Sequence, residues 1–250
     1  MLIRKVVILL LGVLAFATSV AAQSTPPPSG ITRTVIAATK LLTVTEVPLY
    51  FRAVRVTVPQ GEKTALLASS GIIYQVSGST EITFDKQSRT LTSGEGSFIA
   101  AGRTTMLKAT GEAPSALLHF FLGPAMDLEQ RAYAAPATVR ELYRTSAPIP
   151  GLKPGNYDLN LTRIAFPPQM PSNPPHHRSG AALYYIVSGI GSNTVGGTTE
   201  AKGPGSLVYE PFDLVHQWGN PGSEPFTFLA FNINPEGVAA VLPGAPATAQ

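Results

Sequence analysis

Short runs of β-branched and aromatic residues, separated by glycine, proline, asparagine and serine, recur along the chain from Val35 onward. Runs of this length that are bounded by turn residues predict β-strands. The predicted strands are 51–58, 72–76, 80–84, 97–100, 116–122, 158–166, 183–187, 206–210, 214–218 and 226–233. Residues 126–146 predict a helix that Pro136 splits or kinks. The pattern therefore predicts an all-β protein with a short, partly helical connector.

The two sets of predicted strands repeat each other. IIYQVSG at 72–78 matches LYYIVSG at 183–189, at an offset of 111 residues. Pro114 and the strand after it match Pro225 and its strand at the same offset of 111. A repeat of about 110 residues has the size of one small domain. The sequence therefore predicts a tandem duplication, with one barrel at 35–124, a connector at 125–150 and a second barrel at 151–236.

The two ends of the chain have a different composition from the repeats. Residues 1–22 combine Arg4 and Lys5 with a following apolar stretch, which predicts a secretory signal peptide cleaved after Ala22. Residues 23–34 predict a flexible linker, and residues 237–250 a loose tail rich in alanine and proline. We therefore expect a secreted or periplasmic protein that has no stable membrane anchor after cleavage.

The charge of the chain changes once the signal peptide is set aside. The 250 residues contain 18 Lys and Arg against 15 Asp and Glu. Without Arg4 and Lys5 the balance is 16 against 15, and no basic stripe remains, so nucleic-acid binding is not expected. The chain has no cysteine, which excludes disulfides, thiolate metal sites and a cysteine nucleophile. It also has no G-x-S-x-G or P-loop motif.

The segment GSLVYEPFDLVHQWGN carries a spaced motif. Gly205 is followed by five residues and Pro211; four residues then precede His216, and three more precede Asn220. This resembles the second motif of the cupin superfamily, G-x5-P-x-G-x2-H-x3-N. Asp213 stands where that motif has its second glycine.

The segment PPHHRSGAALYYIVSG resembles the first cupin motif, G-x5-H-x-H-x3-4-E-x6-G, less closely. Counting back from Gly189, the glutamate of the motif falls on Ala182. With the shorter spacing, His176 and Arg178 take the two histidine positions. With the longer spacing, His177 takes the second of them.

The resemblance implies two tandem cupin-type jelly-roll barrels, each a double-stranded β-helix, which together form a bicupin. Inward positions alternate along barrel strands, so distant histidines can meet inside. The candidate metal ligands are His176, His177 and His216, with Glu210 or Asp213 as a replacement carboxylate. Such a set suits one divalent metal, Fe, Mn, Zn or Ni, in the C-terminal barrel; otherwise no cofactor is expected.

The first repeat lacks these ligands. The equivalents of His216 are residues 105–107, and the histidine of this repeat, His119, lies on a late strand. The N-terminal barrel is therefore expected to bind no metal. In the C-terminal barrel, Arg178 is suited to a ligand carboxylate, and Tyr185 and Trp218 are candidate pocket residues.

Three functions are compatible with this pattern. The first is an exported, non-enzymatic bicupin that binds a small molecule in its C-terminal barrel. The second is a metal-dependent cupin enzyme of the dioxygenase, isomerase or decarboxylase type. The third is a structural or interaction module, such as a homodimer that pairs through exposed sheet edges.

Overall fold

The computed structural model describes residues 30–44, 47–67, 70–85, 87–102 and 104–244. The predicted signal peptide, residues 23–29 of the predicted linker and residues 245–250 of the tail lie outside the described residues. Over the described ranges, the structure contains no helix with the length and apolar character needed to cross a membrane.

Antiparallel strands dominate the fold. In the first half they are β1 (Thr32–Val44), β2 (Tyr50–Val58), β3 (Lys63–Leu66), β4 (Gly71–Ser77), β5 (Ser79–Phe84), β6 (Gln87–Thr92), β7 (Gly96–Ile99), β8 (Thr105–Ala109) and β9 (Ser115–Gly123). The connector contains α1 (Ala125–Glu129) and β10 (Thr138–Arg144). The second half contains β11 (Gly155–Phe166), β12 (His176–Arg178), β13 (Ala181–Ser188), β14 (Gly191–Val195), β15 (Thr198–Lys202), β16 (Leu207–Glu210), β17 (His216–Gly219), β18 (Phe226–Pro235) and β19 (Val241–Pro243).

Each repeat folds as a barrel of two facing sheets. The N-terminal barrel consists of the sheets β10-β2-β9-β4-β7 and β3-β8-β5-β6. The C-terminal barrel consists of β1-β11-β18-β13-β16 and β15-β14-β17-β12-β19. The strand orders β2-β9-β4-β7 and β11-β18-β13-β16 are the same in the two repeats. The predicted all-β architecture of two tandem jelly-roll barrels is confirmed.

The two barrels share a core where their five-stranded sheets meet. Phe120 of β9 lies with its ring centroid 5.6 Å from that of Phe231 on β18, and Phe51 of β2 lies 5.3 Å from the same ring. All three side chains are fully buried in one cluster with leucines and isoleucines from both sheets. Side chains on the opposite faces of these sheets fill the interior of each barrel.

The first strand does not belong to the barrel that its place in the chain suggests. Residues 35–44, predicted as part of the N-terminal barrel, pair with β11 of the C-terminal barrel from Thr32↔Ala165 to Val44↔Gly155. Residues 32–34 of the predicted linker are part of the same strand. The N-terminal segment therefore forms an edge of the C-terminal sheet.

The connector is less helical than predicted. Only Ala125–Glu129 form a helix, and the second part of the predicted helix is the strand β10, which pairs with β2 from Thr138↔Thr57 to Arg144↔Arg52. Leu128 and Tyr133 of the connector are fully buried in the core of the N-terminal barrel. Backbone bonds from Leu67 to Ala132 and from Ala134 to Ala65 hold this segment along β3. The connector thus packs into the N-terminal barrel.

The predicted loose tail also contains a strand. Residues 241–243 form β19, which pairs with β12 through His176↔Pro243, His177↔Leu242 and Arg178↔Val241. The backbone N–H of Gly244 donates to the Pro175 carbonyl at 2.9 Å. The tail is ordered here because it covers an otherwise unpaired edge of β12.

Candidate functional site

A cavity of about 950 Å³ lies in the C-terminal barrel, between the strands β1, β11, β18, β12 and β19. The aromatic part of its wall consists of Phe166, Tyr184, Trp218 and Phe228. Their rings pack on one another: the centroid of Tyr184 lies 4.6 Å from that of Phe228 and 5.8 Å from that of Trp218. The volume and the apolar wall are typical of a site for a small organic molecule.

A buried ion pair lies at one end of this cavity. Arg178 of β12 donates from Nε to Oε2 of Glu210 at 2.9 Å, and both side chains are almost fully buried. The Trp218 indole donates from Nε1 to the other oxygen of Glu210, Oε1, at 2.7 Å. The Arg178 guanidinium also lies over the Tyr184 ring, 5.1 Å from its centroid. Both oxygens of Glu210 therefore have partners on the protein.

The charge of Glu210 is stabilised in spite of its burial. Burial by itself raises the pKa of a carboxyl group. Here the Arg178 charge, together with His216 and the Trp218 indole, outweighs burial and lowers the pKa of Glu210 to about 2. Glu210 is therefore a carboxylate at neutral pH, and it accepts hydrogen bonds without donating any.

Two histidines stand beside this pair. His176 and His216 are register partners on β12 and β17, and their ring centroids lie 4.3 Å apart. Each imidazole donates from Nδ1 to a backbone carbonyl, that of Pro174 at 2.9 Å and that of Leu214 at 2.8 Å. His216 Nε2 lies 2.9 Å from Glu210 Oε1 but makes no well-aligned hydrogen bond there. Partial burial lowers the pKa of His176, so it is neutral at pH 7.

The other candidates point away from this group. Side chains alternate along a strand, so His177 lies on the opposite face of β12 from His176 and Arg178. Its Nδ1 lies 3.2 Å from Oδ1 of Asp213, which is itself exposed. His177 and Asp213 do not line the cavity.

The same alternation corrects one predicted pocket residue. Tyr185 packs against the core between the two barrels, and its neighbour Tyr184 lines the cavity. Trp218, also predicted, does line it. The sequence showed consecutive tyrosines but did not show which of them faces inward.

The arrangement does not fit a divalent metal. Glu210 is the carboxylate nearest to the two histidines, and its oxygens are taken by Arg178 and Trp218. The fixed positive charge of Arg178 beside them disfavours a cation. Glu210 and His216 also lie behind the lining residues. Across the described ranges, no group of three or more His, Cys, Asp or Glu side chains is arranged to hold a metal ion.

The pairing of β13 with β16 explains why the Glu210 carboxylate lies beside the two histidines. Ala182, at the glutamate position of the first motif, pairs directly with Glu210 on the neighbouring strand β16. The carboxylate thus lies one strand away from the position that the motif predicts. Sequence spacing alone left Glu210 and Asp213 as equal candidates, and only strand pairing distinguishes them.

The comparisons with known proteins agree with this fold. Residues 162–232 match a family model described as "Cupin domain". No curated protein matches the sequence. A structure of oxalate decarboxylase from Bacillus subtilis at pH 4.6 has a TM-score of 0.54 and 14% identity, over 80% of this chain and 73% of that chain.

A second structure of the same enzyme, from a study of its Mn(II) centers, gives a TM-score of 0.54 and 14% identity, over 84% of this chain and 78% of that chain. A "Cupin 2 conserved barrel domain protein" from Leptotrichia buccalis is 17% identical, with a TM-score of 0.46 over 85% of this chain and 92% of that chain. At these identities the first two likenesses concern the fold alone.

Proposed function

Because the chain carries a cupin domain at residues 162–232 and has the fold of a two-domain cupin, we propose that it is an exported binding protein for a small apolar carboxylate. The ligand binds in the cavity of the C-terminal barrel without a metal. The N-terminal barrel supports this site through the shared core. Export rests on the signal peptide that the sequence predicts.

The proposal rests on the unused hydrogen-bond donors of the Arg178 guanidinium group. Its Nε donates to Glu210, and its terminal nitrogens Nη1 and Nη2 donate to no described residue. The side chain lines the cavity. A guanidinium has five N–H donors in a fixed fork, so one edge can bind Glu210 while the end binds a second carboxylate. Glu210 thereby fixes the orientation of the group that meets the ligand.

The remaining wall selects the body of the ligand. It is mostly apolar and aromatic, so it favours a hydrocarbon or aromatic portion over a sugar. Arg33 and Lys40 of β1 lie at the wall together with Asp158, and Lys40 is paired with Glu236. The preference for an anion therefore rests on the unused donors of Arg178.

The test compares two ligands that differ only in charge. We expect 3-phenylpropionate to raise the melting temperature of the purified protein, and 3-phenylpropionamide to do so much less, since a charge-assisted hydrogen bond to Arg178 stabilises only the carboxylate. Calorimetric titration gives the affinities. Arg178→Lys keeps one charge but loses the fork of donors, so we expect it to weaken acid binding by about tenfold or more.

Arg140→Lys is the matched control. Arg140 is exposed on β10 of the N-terminal barrel, so this variant should bind the acid as the wild type does. Equal binding of acid and amide, or full acid binding by Arg178→Lys, would contradict the proposal.

A second candidate is a metal-dependent cupin enzyme; the Arg178–Glu210 pair opposes it, but the hydrogen bonds of the two histidines favour it. His176 and His216 both give Nδ1–H to a carbonyl, as metal-binding histidines commonly do, which leaves Nε2 with its lone pair. Elemental analysis of protein expressed with Fe, Mn, Zn and Ni distinguishes the two candidates. A metal content near one per chain, lost in His216→Ala, would favour the enzyme over the metal-free binding protein.

A further inference from the structure

A row of polar side chains crosses the sheet of the C-terminal barrel next to the Arg178–Glu210 pair. Ala182 on β13 has two register partners, Glu210 on β16 and Asn232 on β18. Asn232 in turn pairs with Asn160 on β11. Register partners point to the same face of a sheet, so these side chains share the inner face. Asn160 and Asn232 line the cavity.

The amide of Asn232 has a fixed orientation. Its Nδ2 donates to the carbonyl of Ala230 at 3.0 Å and to Oδ1 of Asn160 at 2.9 Å. The Ala230 carbonyl can only accept, so Nδ2 must face it. Thr162 also donates to Asn160 Oδ1, at 2.9 Å, and supports the partner amide.

This orientation leaves one acceptor unused. Asn232 is only 5% exposed, and its Oδ1 is buried without a hydrogen-bond partner. A buried polar atom without a partner costs free energy, and such atoms are uncommon in folded proteins. Asn232 lines the cavity, so a hydroxyl of a bound molecule can satisfy this oxygen once the side chains that cover it move aside.

We infer that Asn232 is a specificity residue that reads a hydroxyl group of the ligand, so the preferred ligands are apolar hydroxy acids. This inference rests on the proposed carboxylate site at Arg178. Neighbouring strands lie about 4.8 Å apart, so the backbones of Glu210 and Asn232 are roughly 10 Å apart. Arg178, which contacts Glu210, and Asn232 both line the cavity. The test therefore uses a 2-hydroxy acid, whose hydroxyl lies close to the carboxylate.

The experiment uses an acid with and without the hydroxyl. We expect the purified wild-type protein to bind 3-phenyllactate about fivefold more tightly than 3-phenylpropionate in calorimetric titrations, since one hydrogen bond is added. Asn232→Leu has a similar shape and no acceptor. In this variant we expect the two acids to bind equally, with the affinity for 3-phenylpropionate close to that of the wild type.

Asn193→Leu is the control. Asn193 is a buried asparagine of the same barrel that does not line the cavity, so the preference for the hydroxy acid should persist. If Asn232→Leu does not fold, Asn232→Ala serves instead, because it also removes the acceptor and should also remove the preference. Equal binding of both acids by the wild type, or a preference that survives in Asn232→Leu, would overturn the inference but leave the carboxylate site intact. Binding of neither acid would overturn the proposed function as well.

Discussion

The two barrels place different chemistry at equivalent positions of their sheets. In the N-terminal barrel, a glycine on β4 lies between Ile99 and Phe121, and both side chains are buried in an apolar core. In the C-terminal barrel, Ala182 lies at the same place between Glu210 and Asn232. The comparison shows that the same three register-paired positions of this fold can hold either apolar or polar side chains.

The same comparison explains the cavity. In the N-terminal barrel, His119 of β9 and Tyr133 of the connector are fully buried and hydrogen bonded at 2.6 Å between Nδ1 and the hydroxyl. By register, the position of His119 is Ala230 in the second repeat. Tyr133 forms a β-bridge with Leu66 of β3, and Pro243 pairs with His176 of β12 in the equivalent position of the second repeat. Smaller side chains at both positions leave the C-terminal barrel with space that the first repeat has filled.

The barrels also differ in charge. Burial, with a smaller contribution from Arg52, lowers the pKa of His119, and burial raises the pKa of Tyr133. This pair is therefore neutral at pH 7. The C-terminal barrel instead buries the charged pair Arg178–Glu210. Buried charges of this kind need each other, because each alone would lack compensation.

The largest expected effect follows from separating that pair. Arg178→Leu leaves the Glu210 carboxylate buried without its cation, and we expect a loss of about 4 kcal/mol in the free energy of unfolding. The double variant Arg178→Leu/Glu210→Ile copies the apolar choice that the N-terminal barrel makes at Ile99. It should lose only about 1–2 kcal/mol, mainly because the Trp218 indole loses its acceptor.

Urea denaturation of both variants measures this difference. The double variant is the control for loss of side-chain packing, since it removes the same arginine. If the single variant is no less stable than the double variant, the two charges do not compensate each other in the folded protein.

The next effect is a loss of stability in acid. The pKa of Glu210 is lowered to about 2 in the folded protein, from an ordinary value of 4.5. The stability it contributes is therefore complete above about pH 4.5 and is lost as the pH falls toward 2, by up to about 3 kcal/mol. His119 acts in a different window. Because its pKa is lowered, its contribution is complete above 6.5 and declines as the pH falls below that value.

Denaturation curves at several pH values between 7 and 2.5 measure both windows. Glu210→Gln should remove the loss below about pH 4.5, and His119→Leu should reduce the loss that begins near pH 6.5. A wild-type protein whose stability is unchanged between pH 5 and 3 would show that Glu210 is not held as a carboxylate in the way its contacts indicate.

Much of the fold could be predicted from the sequence, because most strands coincide with local runs of β-branched and aromatic residues. The strands of both repeats and their offset follow from runs such as IIYQV and LYYIV. The exceptions depend on pairing between distant segments. Residues 138–144 contain glutamate, leucine and arginine, which favour a helix, yet they form a strand because the edge of β2 is available to them. The exchange of β1 into the other barrel has a similar cause.

The candidate site was predicted in part. Arg178 and Trp218 line the cavity, and Glu210 contacts both. Motif spacing indicated Arg178, strand alternation indicated Trp218, and Glu210 was one of two alternatives for a carboxylate. Spacing did not show that His177 faces Asp213 on the other side of β12. Nor did it indicate the role of Asn232. A comparison with Phe121, its equivalent in the first repeat, is the signal that would have identified it.

The smallest expected change in stability comes with the sharpest change in binding. Ala230 lies between Tyr184 and Thr162 in the register, and both of these line the cavity. Ala230→Leu brings the C-terminal barrel closer to the filled state of the first repeat. Ala230 itself is fully buried and does not line the cavity, but an added side chain can extend toward it between Tyr184 and Thr162, so we expect a change of only about 1 kcal/mol in the free energy of unfolding. Binding of 3-phenylpropionate should weaken by about tenfold or more, because that space is where the ligand lies.

Ala165→Leu makes the same change at a half-buried position on β11 that faces away from the cavity-lining residues Ile164 and Phe166, and it should leave the affinity unchanged. Calorimetric titration of both variants, with urea denaturation alongside, gives the two quantities. If Ala230→Leu is destabilised by several kcal/mol, the space between Tyr184 and Thr162 is too small for the extra side chain. If its affinity matches that of Ala165→Leu, the ligand does not bind in the space that is open in the C-terminal barrel and filled in the N-terminal barrel.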